Sequence, residues 1–123
     1  MSKIMLIDDA KIMLKTGKMF LEQDGHEVFT VEDGFTALAA IQDSNPDLIL
    51  LDIEMPRLNG YEVCSMIKAN ERFRNIPIIM LSSKDGPFDR VKGKMFGCDD
   101  YLTKPFKKDH LLETVKKYLE QAK

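Results

Sequence analysis

Cysteine is scarce, tryptophan is absent, and histidine occurs only at positions 26 and 110. Cys64 and Cys98 lie far apart, with no CxxC and no Cys/His spacing suited to a metal, which excludes a zinc site and a disulfide framework. Both read as small packing residues. His26 and His110 likewise lack partners at ligand spacing and read as turn or surface residues. No apolar run approaches the roughly 20 residues that cross a bilayer, and Asp8 interrupts the N-terminus before a signal peptide could form. The expectation is a cytoplasmic protein without membrane insertion. There is no internal repeat, low-complexity tract or linker long enough to attach a second domain. With 123 residues and a hydrophobic share of 44%, the chain has the size and composition of one domain, 1–123. No output domain is expected after Lys123, and the single basic C-terminal helix is not a helix-turn-helix, so direct nucleic-acid binding is not expected.

What the sequence does have is a series of short, continuous apolar runs. Ile4-Met5-Leu6-Ile7, Leu48-Ile49-Leu50-Leu51 and Ile78-Ile79-Met80-Leu81 lack the alternation of a half-wet strand, so they read as strands buried on both faces. Glu27 to Val31 and Tyr101-Leu102-Thr103 fit weaker strands. Helical spacing relates Met13, Gly17, Phe20 and Leu21 before Asp24-Gly25, and Val63, Met66 and Ile67 after Gly60. Asp33-Gly34 opens a helix carrying Leu38 and Ile41, and Asn45-Pro46 ends it because the residue before proline is driven from helical geometry. Phe88, Val91 and Met95 predict a fourth helix. Leu111, Leu112, Val115 and Leu119 form one stripe of a fifth. The order βαβαβαβαβα, with right-handed crossovers, predicts an α/β fold: a flavodoxin-like, doubly wound five-stranded parallel sheet of strand order 2-1-3-4-5 with five helices.

Such a sheet binds ligands at the carboxyl edge of its strands. Asp8 and Asp9 follow the first strand, Asp52 the third, Ser82 the fourth and Lys104 the fifth, so one edge gathers all of these groups. Three carboxylates there repel one another, each close pair by about 4 kcal/mol at an effective dielectric near 20, and a cation relieves that repulsion. Oxygen ligands without His or Cys favour a hard ion, and Mg²⁺ suits a site that also holds a phosphate. A carboxylate can attack phosphorus when positive charge neutralises the transferring oxygens. The roles follow: Asp8 and Asp9 hold the metal, Asp52 attacks, and Ser82 with Lys104 grips the product. Taken singly, each residue also reads as a cap, a turn residue or a solvated charge.

Together, Asp8-Asp9, Leu51-Asp52-Ile53-Glu54-Met55-Pro56, Asn59-Gly60, Ser82-Ser83 and Lys104-Pro105 resemble the motif set of bacterial response-regulator receiver domains, the CheY-like family, along the whole chain. The resemblance implies phosphotransfer from a histidine kinase to Asp52, with Asp52 and the backbone carbonyl of Glu54 as further Mg²⁺ ligands and a cis Lys104-Pro105 bond. It implies a switch in which the Ser82 hydroxyl moves toward the phosphoryl group and the Tyr101 ring turns inward, although a half-buried core role fits Tyr101 equally. It implies an effector surface on the fourth helix, fifth strand and fifth helix, with Phe106, Lys92, Lys94, Lys107 and Lys108 as candidate contacts. Glu54 and Lys84 occupy positions that tune dephosphorylation in the family, whether as an ion pair, through the metal or through water. Lys11, Lys15 and Lys18 share one face of the first helix, read either as a solvated face or as a kinase contact. Residues 82–87 and 92–94 look similar to stand-alone receivers of type IV pilus twitching-motility systems.

Charge is split between the two parts of the chain. Residues 1–83 carry 8 basic and 13 acidic side chains and residues 84–123 carry 10 and 7, giving -5 and +3. The split reads as solvated faces or as an acidic ion-binding pole beside a basic partner surface. Two rival functions share parts of the pattern. A phosphohydrolase with an aspartyl-phosphate intermediate normally uses Asp-x-Asp, where this chain has Asp52-x-Glu54, and a nucleotide- or flavin-binding module needs a glycine-rich phosphate loop that is missing here. A third alternative is a receiver that binds partners without phosphorylation.

Overall fold

The apolar runs become the inner strands of one parallel sheet because side chains on both of their faces are removed from water, at roughly 1.5–3 kcal/mol for each large aliphatic group. The computed structural model of the chain describes residues 2–83 and 90–121, and for residues 90–92 the backbone alone. The elements are β1 (Lys3–Ile7), α1 (Lys11–Gln23), β2 (Glu27–Val31), α2 (Gly34–Ser44), β3 (Leu48–Asp52), α3 (Gly60–Ala69), β4 (Ile78–Ser83), α4 (Arg90–Met95), β5 (Asp100–Lys104) and α5 (Lys108–Gln121). The strand order is β2-β1-β3-β4-β5, the flavodoxin-like order expected from the sequence. All pairings are parallel, with Ile7 beside Leu51 and Asp52 beside Leu81, so the strand ends meet at one edge.

Alternation along each strand divides the core in two. Met5, Ile7, Ile49, Leu51 and Met80 pack toward α2 and α3, with Ala37, Ile41, Val63, Cys64 and Ile67. Ile4, Leu6, Leu48, Leu50 and Leu81 pack on the opposite side with Leu14, Leu21, Leu111 and Val115 of α1 and α5. Cys64 is buried and Cys98 half-buried, both as free thiols in the packing roles expected of them. Burial pushes the Cys64 thiol up to about 12 and that of Cys98 up to about 11, far from reactive thiolates.

Helices α1 and α3 form where the spacing predicts them and α4 is described from Arg90 on, but not every apolar residue that marks them faces the core. The buried centre of α1 is Leu14, Gly17 and Leu21, whereas Met13 and Phe20 flank it half-buried. On α3 the inward residues are Tyr61, Val63, Cys64 and Ile67, and Met66 points outward because it falls off that 3.6-residue stripe. Met95 of α4 is 78% exposed and is no core residue, while Phe88 lies outside the described residues. Phe106, expected as a partner contact, is instead buried in the α1/α5 half of the core, its ring beside Gly17.

Two local devices position the loop after β3. Asn59 and Glu62 form a reciprocal capping box at the start of α3, with Asn59 Oδ1 accepting from Glu62 N at 3.0 Å and Glu62 Oε1 accepting from Asn59 N at 3.1 Å. Gly60 lets that helix start lie directly against β3, because a Cβ there would stand 2.4 Å from the Asp52 carbonyl oxygen. The Lys104-Pro105 peptide is cis, as expected from the resemblance.

Candidate functional site

Burial brings the acidic groups together where water is scarce. Asp8 follows β1 and is 0% exposed, Asp52 closes β3 at 1%, and Asp9 stands exposed beside them. One carboxylate oxygen from each of Asp8, Asp9 and Asp52 falls within 4.8 Å of the others. The all-oxygen donor set, partly buried and open on the Asp9 side, fits a hard divalent ion such as Mg²⁺.

Lys104, the last residue of β5, supplies the local positive charge. Its Nζ donates to Asp52 Oδ1 at 3.0 Å and to Asp8 Oδ2 at 3.3 Å. The second Asp8 oxygen accepts from Ala10 N at 2.9 Å, and Asp52 Oδ1 also accepts from Glu54 N at 3.3 Å. Burial, and then the neighbouring Asp8 charge, push the Asp52 carboxyl up to about 7 despite the opposing pull of Lys104. For Lys104 itself burial pulls downward, but the hydrogen bond and charge of Asp52, followed by Asp8, hold the ammonium above the usual lysine range. A single ammonium between two buried carboxylates leaves the cluster short of positive charge, which a bound dication would complete.

The other expected residues differ in where they stand and what they bind. Ser82 lies within β4 and is buried, its Oγ donating to the Ser83 carbonyl at 3.2 Å. Tyr101 is half-buried on β5 and packs against the α3 side of the core, a position that suits either reading of its ring. Lys84, and with it the expected Glu54–Lys84 pair, lies outside the described residues. Glu54 Oε1 instead accepts from Ser83 Oγ at 2.9 Å, a partnership the charge pattern could not reveal because Ser83 carries no charge. Ser83 was visible only as the second residue of the Ser82-Ser83 motif.

Farther out, Lys11, Lys15 and Lys18 are exposed along α1. Among the candidate effector contacts, Lys94, Lys107 and Lys108 are exposed, and the Lys92 side chain lies outside the described set. Lys108 ties α5 to α1 through Gln23 Oε1 at 2.7 Å. No helix among the described residues is long and apolar enough to cross a membrane.

Residues 4–116 match the response regulator receiver domain family. Protein PilG of Pseudomonas aeruginosa is 50% identical over 117 residues, covering 95% of this chain and 87% of PilG. Protein PilH of the same organism is 36% identical over 115 residues, covering 94% of this chain and 95% of PilH. Among solved structures, the chemotaxis protein CheY4 of Vibrio cholerae superposes with a TM-score of 0.90 at 31% identity, covering 96% of this chain and 98% of CheY4.

Proposed function

The chain belongs to the response regulator receiver domain family, and from that premise we propose that it is a phosphorylation switch with Asp52 as the phosphoacceptor. The observation that carries the reading is the Lys104 ammonium bound to both Asp52 and Asp8 at an edge where Asp9 completes a carboxylate trio. Asp8, Asp9, Asp52 and the Glu54 carbonyl would hold Mg²⁺, which supplies charge neutralisation to the carboxylates and to the transferring phosphoryl oxygens. An Asp52 carboxylate oxygen attacks the phosphorus of a phosphohistidine on a partner kinase. The new P–O bond forms as the P–N bond breaks, and the electron pair returns to the imidazole.

Lys104 is already in place to hold the ionised form of Asp52, and its ammonium can follow the charge onto a phosphoryl oxygen. Ser82 must exchange the Ser83 carbonyl for a phosphoryl oxygen, a rotation that couples the chemistry to the end of β4. The added charge of about -1.5 to -2 then biases that segment and the α4, β5 and α5 surface toward an effector. The likeness to PilG and PilH supports a switch that signals through a partner protein. The identity with PilG, together with the likeness of residues 82–87 and 92–94 to twitching-motility receivers, supports a pilus- or chemotaxis-type pathway.

Incubation with Mg²⁺ and acetyl phosphate, followed by intact mass measurement, tests the reading. One phosphoryl group should be gained by the native chain, and none when Mg²⁺ is chelated beforehand or in Asp52→Asn. Equal uptake by Asp52→Asn would overturn the assignment.

A further inference from the structure

Glu54 is a fourth carboxylate at this edge, yet its side chain is turned to a different partner. Its backbone N–H donates to Asp52 Oδ1 at 3.3 Å, which fixes its main chain beside the proposed acceptor. Its Oε1, however, accepts from Ser83 Oγ at 2.9 Å. The Glu54 carboxylate is not among the oxygens of Asp8, Asp9 and Asp52 that converge within 4.8 Å. Ser83 ends β4, and Asp52 pairs with Leu81 two residues before it, so the bond crosses from the loop after β3 to the end of the neighbouring strand.

We propose that Ser83 is a positioning residue that holds the Glu54 carboxylate out of the metal site, so that the cation meets three carboxylates rather than four. The proposal rests on the reading of Asp8, Asp9 and Asp52 as Mg²⁺ ligands. A glutamate whose main chain is fixed two residues from Asp52 has the reach of three rotatable side-chain bonds. A divalent ion would draw it inward, and the number of anionic ligands sets how tightly such an ion is held. The hydroxyl-to-carboxylate hydrogen bond opposes that pull because it is charge-assisted and roughly twice as strong as a neutral one. It also joins the metal site to the switch, since the Ser83 carbonyl is the acceptor that occupies the Ser82 hydroxyl at 3.2 Å. Movement of Ser82 toward a phosphoryl oxygen therefore acts on the residue that restrains Glu54.

A Mg²⁺ titration of the unphosphorylated chain, followed by amide NMR, tests this without any phosphotransfer. Ser83→Ala should tighten Mg²⁺ binding by at least about threefold as ligand charge rises from three carboxylates to four. Ser83→Thr, which keeps the hydroxyl, should bind as the native chain does. Ser83→Ala should have no effect on affinity when compared within the Glu54→Ala background, the non-additivity expected of two residues that act as a pair. Unchanged affinity in Ser83→Ala, or an equal shift with and without Glu54, would overturn the role of Ser83. A native chain whose Mg²⁺ response is absent, or is untouched by Asp9→Asn, would overturn the metal reading and the Ser83 role with it.

Discussion

Replacing Asp52 by Asn should make the protein more stable at pH 8, because the site holds a carboxyl in surroundings that disfavour its charge. Burial and the Asp8 charge lift Asp52 from an ordinary value of 3.8 to about 7. Between those pH values the native state keeps a proton that the unfolded chain has lost, so stability falls as pH rises toward the folded value, by at most 1.36 kcal/mol per pH unit. The span from 3.8 to about 7 gives a ceiling of about 4 kcal/mol, reached above pH 7. Asn reproduces the neutral acid in shape and offers Lys104, 3.0 Å away, a neutral oxygen as the protonated acid does. The pull of Lys104 is already contained in the net displacement of Asp52, so the gain at pH 8 keeps the ceiling of about 4 kcal/mol. Urea unfolding from about pH 4 to 8 in the presence of a chelator should show native and Asp52→Asn proteins converging at the acidic end and separating as pH rises, with a common denaturant slope. Excess Mg²⁺ should narrow the gap by binding the ionised native site. A variant less stable than the native chain at pH 8, or an advantage independent of pH, would refute the reasoning.

Lys104→Met should be destabilising by about 1–3 kcal/mol at pH 7.5, less than for a fully enclosed pair because the ammonium is partly exposed, and excess Mg²⁺ should recover most of the loss in a thermal melt. Gly60→Ala should cost about 3 kcal/mol or more, since its methyl would meet backbone 2.4 Å away at Asp52, whereas Gly17→Ala meets a movable Leu6 methyl at 2.8 Å and should cost less; urea midpoints compare the two. Glu54→Ala should change the rate of phosphoryl loss from Asp52 by at least about threefold while shifting stability by no more than about 0.5 kcal/mol, as expected of an exposed side chain; mass-resolved decay and a denaturation curve separate these effects.

The inner strands were legible because parallel strands covered on both faces must be apolar at every position, and Leu48 to Leu51 satisfies that condition without exception. The edge strands β2 and β5 mix buried with exposed positions and carry a weaker signal, yet the turn residues around them kept the order intact. Helix faces were less secure, since one misassigned residue rotates the stripe: Met66 and Met95 are apolar but point outward, and the long flexible methionine tolerates that exposure. Phe106 was misplaced for the opposite reason, because a residue beside lysines looks like surface until α1 closes over it at Gly17.

At the site, the strand-end rule located Asp8, Asp52 and Lys104, whose juxtaposition follows from parallel pairing alone. The bond between Ser83 and Glu54 was not legible, since it depends on side-chain torsions across two loops rather than on register. Long-range polar ties elsewhere were hidden in the same way. Lys68 donates to the carbonyls of Arg74 and Ile76 at 3.0 and 2.9 Å and to Asp99 at 3.3 Å, joining segments that no local pattern connects.

The most direct measurement is the chemical location of the transferred phosphoryl group. After exposure to Mg²⁺ and acetyl phosphate, hydride reduction of the acyl phosphate and peptide mass mapping should mark Asp52 alone, with no mark when Mg²⁺ is chelated. A mark on Asp8, Asp9 or a serine in place of Asp52, or a fully unmodified Asp52 under conditions where the chain has gained phosphate, would contradict the assignment of the acceptor.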